Sequence, residues 1–238
     1  MRMSRRAVLY GIGGGVDYSY TGTYDSYGDT SHGYLVLKTS GTLSIKGTVD
    51  LCLVGGGGKG AQGSKSGYGS GGAGGAGGYV QNHVTQELNG DYAVTIGAGS
   101  TSTAAGGVTS VSGSYTANGG TSAQTSSSVT GRGTSGNGGT KGAYSTSGED
   151  GIFPWNDATN FSAFRVSGCG GGAIRNTIGT PGSGGAGGGG NGGGSGQAGT
   201  AGSANTGGGG GGGNGGDAVS SKVGGNGGSG VVLVRWGY

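Results

Sequence analysis

Glycine at every third position is the feature that most restricts how this chain can fold. The spacing recurs in three stretches, 57–78, 133–151 and 184–202, and is interrupted only by Ser66 and Ser145. A flexible linker has no reason to keep such a period, whereas a polyproline-II helix has three residues per turn and no internal hydrogen bonds. Glycine along one edge lets neighbouring helices approach closely enough for their backbone groups to bond. The spacing therefore predicts a bundle of glycine-rich polyproline-II helices.

The overall composition excludes several other architectures. Glycine accounts for 72 of the 238 residues, and proline for only 2. Collagen needs abundant proline and glycine at every third position throughout, and a helical bundle would lose about 1 kcal/mol for each glycine relative to alanine. No apolar run approaches the length of a membrane span, so membrane insertion is not expected. Disorder is the remaining alternative, and we disfavour it because the glycine tracts interrupt a framework of strands.

That framework consists of three segments with the pattern of β-strands, separated by glycine-rich insertions. The strand segments are 17–54, 79–115 and 230–236, and the insertions are 55–78, 116–151 and 168–229. Because strands lie at both ends, we expect the two ends to pair within a single domain over 17–238. The predicted fold is all-β, an antiparallel jelly-roll-like sandwich with an inserted glycine-rich polyproline-II helix bundle.

Two local patterns support the strand assignment. Val49, Leu51 and Leu53 alternate with the residues between them, which is the period of a sheet with a buried face. The pair Asn89-Gly90 lies between two further strand-like runs, and this dipeptide predicts a two-residue hairpin turn.

The first sixteen residues predict a basic, partly apolar arm. The residues expected to make its contacts are Arg2, Arg5, Arg6, Val8, Leu9 and Tyr10. The apolar stretch is short and broken by glycine, and no cleavage site follows, so we expect 1–16 to be retained as a flexible or docking arm. The other basic residues are scattered and the net charge is only +3, so nucleic acid is not an expected partner.

The residues suited to catalysis or metal binding are few and dispersed. The adjacent carboxylates Glu149 and Asp150 would point apart on an extended chain, so they do not predict a catalytic pair. We therefore expect no enzyme activity, no metal and no cofactor. Cys52 and Cys169 are the only cysteines, and they form either one disulfide bridge or two buried thiols.

Bulky rings interrupt the glycine-rich region over 144–164. They are Tyr144, Phe153, Trp155, Phe161 and Phe164. One interpretation is an exposed loop whose rings stack on a sugar or anchor a protein partner. The other is that the rings fill the junction between sheet and bundle, where glycine supplies no side chains.

The chain resembles the glycine-rich domain proteins encoded by bacteriophages, prophages and gut bacteria. The residues that carry the resemblance are 53–58, 73–80, 92–99, 198–202, 205–213 and 227–235. Related architectures are the glycine-rich domain of anaplastic-lymphoma-kinase-type receptors and the polyproline-II tip adhesin of some T-even-like phages. The resemblance implies a sandwich with a polyproline-II bundle and a place on a virion, and it transfers no catalytic residue.

The expected function is that of a non-enzymatic phage tail fibre or tip protein, made in the host cytoplasm and carried on the virion. Its expected partners are a host surface glycan or outer protein and, through the N-terminal arm, other virion proteins. A homotrimer is the expected assembly. One alternative is a purely architectural virion protein. A second is a secreted or surface-held binding module, including an ice-binding slab of polyproline-II helices.

Overall fold

The computed structural model describes the strand framework and most of the glycine-rich region. The described residues are 16–28, 32–64, 71–124, 146–162, 164–175, 177, 179–216 and 221–238. Tyr144 and the predicted arm, except its last residue Val16, lie outside them. No helix among the described residues is long and apolar enough to cross a membrane.

The described chain is all-β, with eight strands joined in one antiparallel sheet. The strands are β1 (Asp17–Tyr20), β2 (Tyr24–Gly28), β3 (Gly33–Leu37), β4 (Gly41–Val54), β5 (Val80–Thr95), β6 (Thr109–Val111), β7 (Tyr115–Ala117) and β8 (Val231–Trp236), and a 3₁₀ turn covers Pro154–Asn156. Their order is β2-β3-β8-β4-β5-β6-β7, with β1 paired to β4. The last strand thus lies between two strands from the start of the chain, so the two ends pair as expected.

Strand β4 is shared between two neighbours along one edge. Its residues Leu43 to Lys46 pair with β1, and its residues Asp50 to Val54 pair with β8. Residues 47–49 lie between these ladders and pair with neither strand. We call this interruption the notch.

The predicted hairpin at Asn89-Gly90 is wrong. Both residues lie inside β5, where Asn89 is opposite Lys46 and Gly90 is opposite Ile45 in a continuous ladder with β4. The φ of Gly90 is +147°, whereas the central residues of a type I′ turn need φ of about +60° to +90°. The long strand β4 offers pairing on both sides of the dipeptide, and this extended ladder outweighs the local turn preference.

The alternation in β4 divides its side chains between two apolar clusters, as predicted. Val49, Leu51 and Leu53 are buried in the larger cluster on the first face of the sheet. Cys52 and Val54 are buried in a smaller cluster on the second face. Both faces of the central strands are therefore covered.

The described glycine-rich segments between β4 and β5, and between the 3₁₀ turn and β8, form no strands, and backbone hydrogen bonds join them at every third residue. The N–H groups of Gly57, Gly60 and Gly63 donate to the carbonyls of Gly228, Gly225 and Lys222 over 2.8–3.0 Å. A second neighbouring segment bonds with the same three-residue period, because the N–H groups of Gly210 and Gly213 donate to the carbonyls of Gly58 and Ala61. A Cβ atom on Gly57 would collide with the carbonyl of Gly208. Glycine is thus required where the backbone of one segment contacts the backbone of the next.

The two cysteines form no disulfide with each other and both are buried, which confirms the buried-thiol interpretation. Burial raises the pKa of Cys52 to about 12 and that of Cys169 to about 11. Both side chains are therefore neutral thiols at physiological pH and act as small apolar groups in the packing.

Candidate aromatic binding site

A continuous series of ring contacts lies on the second face of the sheet, where β8 ends. The distances between ring centroids are 4.7 Å for Tyr27 and Tyr34, 5.1 Å for Tyr34 and Phe161, and 5.2 Å for Phe161 and Trp155. The guanidinium carbon of Arg235 lies 4.3 Å from the Trp155 ring centroid and 5.4 Å from that of Tyr238. We call Tyr27, Tyr34, Trp155, Phe161 and Tyr238, together with Arg235, the aromatic patch.

Strand register brings the first members of the patch together. Tyr27 of β2 is opposite Tyr34 of β3, and Tyr34 is opposite Arg235 of β8. Directly opposed residues project from the same face of a sheet, so the three side chains form one row. Burial, with smaller contributions from the neighbouring Tyr27 and Tyr238, raises the pKa of Tyr34.

Trp155 enters the patch from a strained loop. A bridge between Ile152 and Val166 closes the loop, and Trp155 and Asn156 have φ values of +53° and +57°. Such a conformation costs a non-glycine residue about 1–3 kcal/mol and persists only where the surroundings impose it. The backbone N–H of Trp155 donates to Oδ1 of Asn82 on β5 over 3.3 Å. Trp155 is therefore positioned by the sheet beneath it.

The candidate rings of this loop differ in exposure. Phe161 is only 2 % exposed and belongs to the cluster on the second face, against which Trp155 and Phe164 are partly buried. Phe153 is half-buried, and its ring lies 4.4 Å from the guanidinium carbon of Arg165. Phe161 thus packs against the sheet, while the other three rings keep some exposed surface. Receptor binding by these rings stays a prediction.

Arg235 is held by two carboxylates. Its Nε donates to Oδ2 of Asp50 over 2.9 Å, and its Nη1 donates to Oδ2 of Asp157 over 3.3 Å. Asp50 also accepts the backbone N–H of Thr85 over 2.7 Å, where the register between β4 and β5 shifts. Hydrogen bonds from Asn160, with a smaller contribution from Arg235, lower the pKa of Asp157. The guanidinium is therefore fixed between two rings and two carboxylates.

A cavity of about 280 Å³ opens at the notch beside the patch. Its walls include Thr48, Asp50, Thr85, Arg235 and Tyr238. Among the described residues, no group of three histidine, cysteine or acidic side chains could hold a metal ion. The polar groups of this cavity are hydroxyls, a carboxylate and a guanidinium.

Residues 37–237 match a family described as a glycine-rich domain. The chain belongs to this glycine-rich domain family. A comparison with curated proteins found no match. The match extends from the end of β3 through every described glycine-rich segment to the end of β8. Trp155 and Arg235 therefore lie inside the glycine-rich domain, whereas Tyr27, Tyr34 and Tyr238 lie outside the matched region.

Of the five rings that the sequence predicted for receptor binding, Trp155 and Phe161 are members of the patch. Arg235 has a local signal that could have been used, because it is the charged residue in the otherwise apolar strand VVLVRW. Asp50 carries the same kind of signal within the apolar end of β4. A buried charge needs a partner, and pairing these two would have located the site.

Proposed function

We propose that this glycine-rich domain protein is a non-enzymatic phage virion protein of tail fibre or tip type, and that it binds the host cell surface through the aromatic patch. The observation that carries the proposal is the arrangement of rings around Arg235. Tyr27 is 49 % exposed and Tyr238 is 53 % exposed, and the guanidinium between the rings is held by Asp50 and Asp157. Aromatic residues and arginine contribute most of the affinity at binding interfaces, and a fixed geometry reduces the entropy lost on binding.

We further infer that the glycine-rich segments form a polyproline-II helix bundle, and that the sheet is part of a jelly-roll-like sandwich. Two observations support the bundle. Hydrogen bonds between the segments recur every three residues, and three residues make one turn of that helix. Glycines such as Gly57, Gly60 and Gly63 also avoid the left-handed region of φ. A bundle held by backbone contacts would act as a stiff support for the patch.

The virion assignment rests on the resemblance to phage glycine-rich proteins. In this proposal the N-terminal arm docks the protein to other virion proteins, three copies associate, and the patch faces the host surface. Its receptor is a surface glycan or an outer protein of the host cell.

A purely architectural virion protein is the second candidate. The extent of the backbone-bonded glycine-rich region favours it, because such a region suits a rigid spacer as well as it suits a support. An architectural protein would bind no cells, and it would co-purify with particles in fixed copy number.

Cell binding by Trp155→Ala tests the proposal. We expect the labelled wild-type protein to bind saturably to a narrow subset of a panel of bacteria, and Trp155→Ala to weaken that binding about tenfold or more, since truncated aromatic anchors are costly. Flow cytometry provides the measurement. Val223→Ala, which changes a residue of the glycine-rich region that is 56 % exposed, should bind as the wild type does.

Tyr238→Ala is a second patch variant for the same assay. Because this exposed ring contributes little to the core, we expect the variant to fold normally, so a loss of cell binding would reflect the patch and not misfolding. Absence of binding to every strain by the folded wild-type protein would contradict the receptor proposal. Equal binding by wild type, Trp155→Ala and Tyr238→Ala would show that the patch is not the binding surface.

A further inference from the structure

The cavity at the notch is produced by the strand pairing. The ladder of β8 with β4 stops at Asp50, and the ladder of β1 with β4 begins at Lys46. The edge of β4 at Thr48 and Val49 therefore borders a cavity of about 280 Å³. This volume is close to the lower limit of about 300 Å³ for small-molecule sites. It suits a ligand of one or two small rings.

The charges around the cavity disfavour an anionic ligand. Asp50 and Arg235 neutralise each other, and Asp157 adds a second carboxylate to the same guanidinium. The three groups together carry one net negative charge, so a phosphate or an acidic sugar would meet repulsion at short range. The Arg235 side chain is only 13 % exposed, which leaves it little capacity to turn towards an anion.

The same groups offer hydrogen bonds to a neutral ligand. An ionised carboxylate has about four lone-pair sites, and Asp50 uses two of its sites for Thr85 and Arg235. The hydroxyls of Thr48 and Thr85 on the cavity wall can both donate and accept. A ligand with several hydroxyl groups would find acceptors and donors on adjacent walls.

Tyr238 supplies an apolar surface beside these polar groups. Tyr238 lines the cavity and is 53 % exposed, and the guanidinium carbon of Arg235 lies 5.4 Å from its ring centroid. An aromatic ring next to a carboxylate and hydroxyls matches a sugar ring, which has a C–H face and a rim of hydroxyls. We infer that the notch cavity binds a neutral saccharide unit of the host surface glycan. This inference rests on the proposed function and names the receptor class for the same site.

Ligand-observed NMR on the full chain tests the inference. The probes are glucose, galactose, mannose, N-acetylglucosamine and rhamnose, with glucuronic acid as the acidic comparator. We expect saturation transfer to at least one neutral sugar and at least fivefold less transfer to glucuronic acid. No transfer to any neutral sugar, or stronger transfer to glucuronic acid, would overturn the inference.

Thr48→Tyr is the decisive variant because it fills the cavity and leaves every member of the patch in place. Thr48 is exposed on β4, where tyrosine is favoured. We expect Thr48→Tyr and Tyr238→Ala each to weaken sugar binding at least tenfold, and Val223→Ala to leave it unchanged. Sugar binding that survives in both cavity variants would overturn the inference.

The cell-binding assay, run on the same variants, distinguishes the two proposals. Wild-type affinity for cells in Thr48→Tyr would overturn the saccharide site and leave the proposed function standing. Binding of a neutral sugar by a protein that binds no cells would contradict the proposed function and support the saccharide site.

Discussion

Gly211→Ala is expected to lower the free energy of unfolding by about 3 kcal/mol, the upper end of the usual cost of overpacking a rigid interior. A Cβ atom on Gly211 would collide with the backbone carbonyl of Asn191. That carbonyl accepts the N–H of Thr200 over 2.9 Å, and Gly211 itself donates to the carbonyl of Thr200 over 2.9 Å. The added methyl group therefore separates three segments that bond to one another, and no side chain can move aside to accommodate it.

Gly194→Ala is the matched control, because it adds the same methyl group to the same glycine-rich region. Its Cβ would meet only the end of the Gln197 side chain and, at 4.0 Å, Pro181. We expect a stability within about 1 kcal/mol of the wild type, and a slight gain is consistent with the lower entropy of the unfolded chain. Urea unfolding followed by circular dichroism measures both variants. Equal stabilities would show that the glycine-rich segments do not pack in contact.

Arg235→Met is expected to have the second large effect, a loss of about 2 kcal/mol in the free energy of unfolding, because it leaves the partly buried Asp50 carboxylate without its charged hydrogen-bond partner. Methionine keeps the apolar stem of the side chain but leaves Asp50 and Asp157 without their shared cation. The Asp50 side chain is only 18 % exposed, so solvent cannot fully replace its lost partner. The Trp155 ring also loses the guanidinium that lies on it.

Lys38→Met provides the control, since it breaks the ion pair of Lys38 with Asp25 on the sheet surface. Both side chains of that pair are about one third exposed, and exposed pairs contribute about 0–1 kcal/mol. Urea unfolding should therefore separate the two variants clearly. Similar small losses for both would mean that Arg235 does not hold the patch together.

The sequence patterns predicted the parts of the fold that depend on strict periodicity. The alternation around Leu51 identified both faces of β4. The three-residue glycine period located segments that bond through their backbones in the described parts of 57–78 and 184–202, whereas 133–145 lies outside the described residues. The hairpin prediction at Asn89-Gly90 was wrong because the turn preference of the dipeptide is local. The ladder that keeps it inside β5 depends on the length of β4. Strand pairing over that distance cannot be derived from the dipeptide.

The site was harder to predict than the fold, because its members are brought together by register. Tyr34 meets Arg235 only through the pairing of β3 with β8, and these strands are separated by almost the whole chain. The loop that carries Trp155 was recognised by its composition. Its position over Arg235 depends on a left-handed backbone at Trp155, for which a tryptophan gives no signal.

Hydrogen exchange on the protein bound to envelope fragments of a recognised host tests the location of binding most directly. We expect slower exchange in β2, β3, the loop over 152–166 and the end of β8, with unchanged exchange in the exposed glycine-rich segment 197–204. A result in which 197–204 is protected and the strands around Arg235 are unaffected would contradict this expectation, and would place the host contact on the glycine-rich region instead.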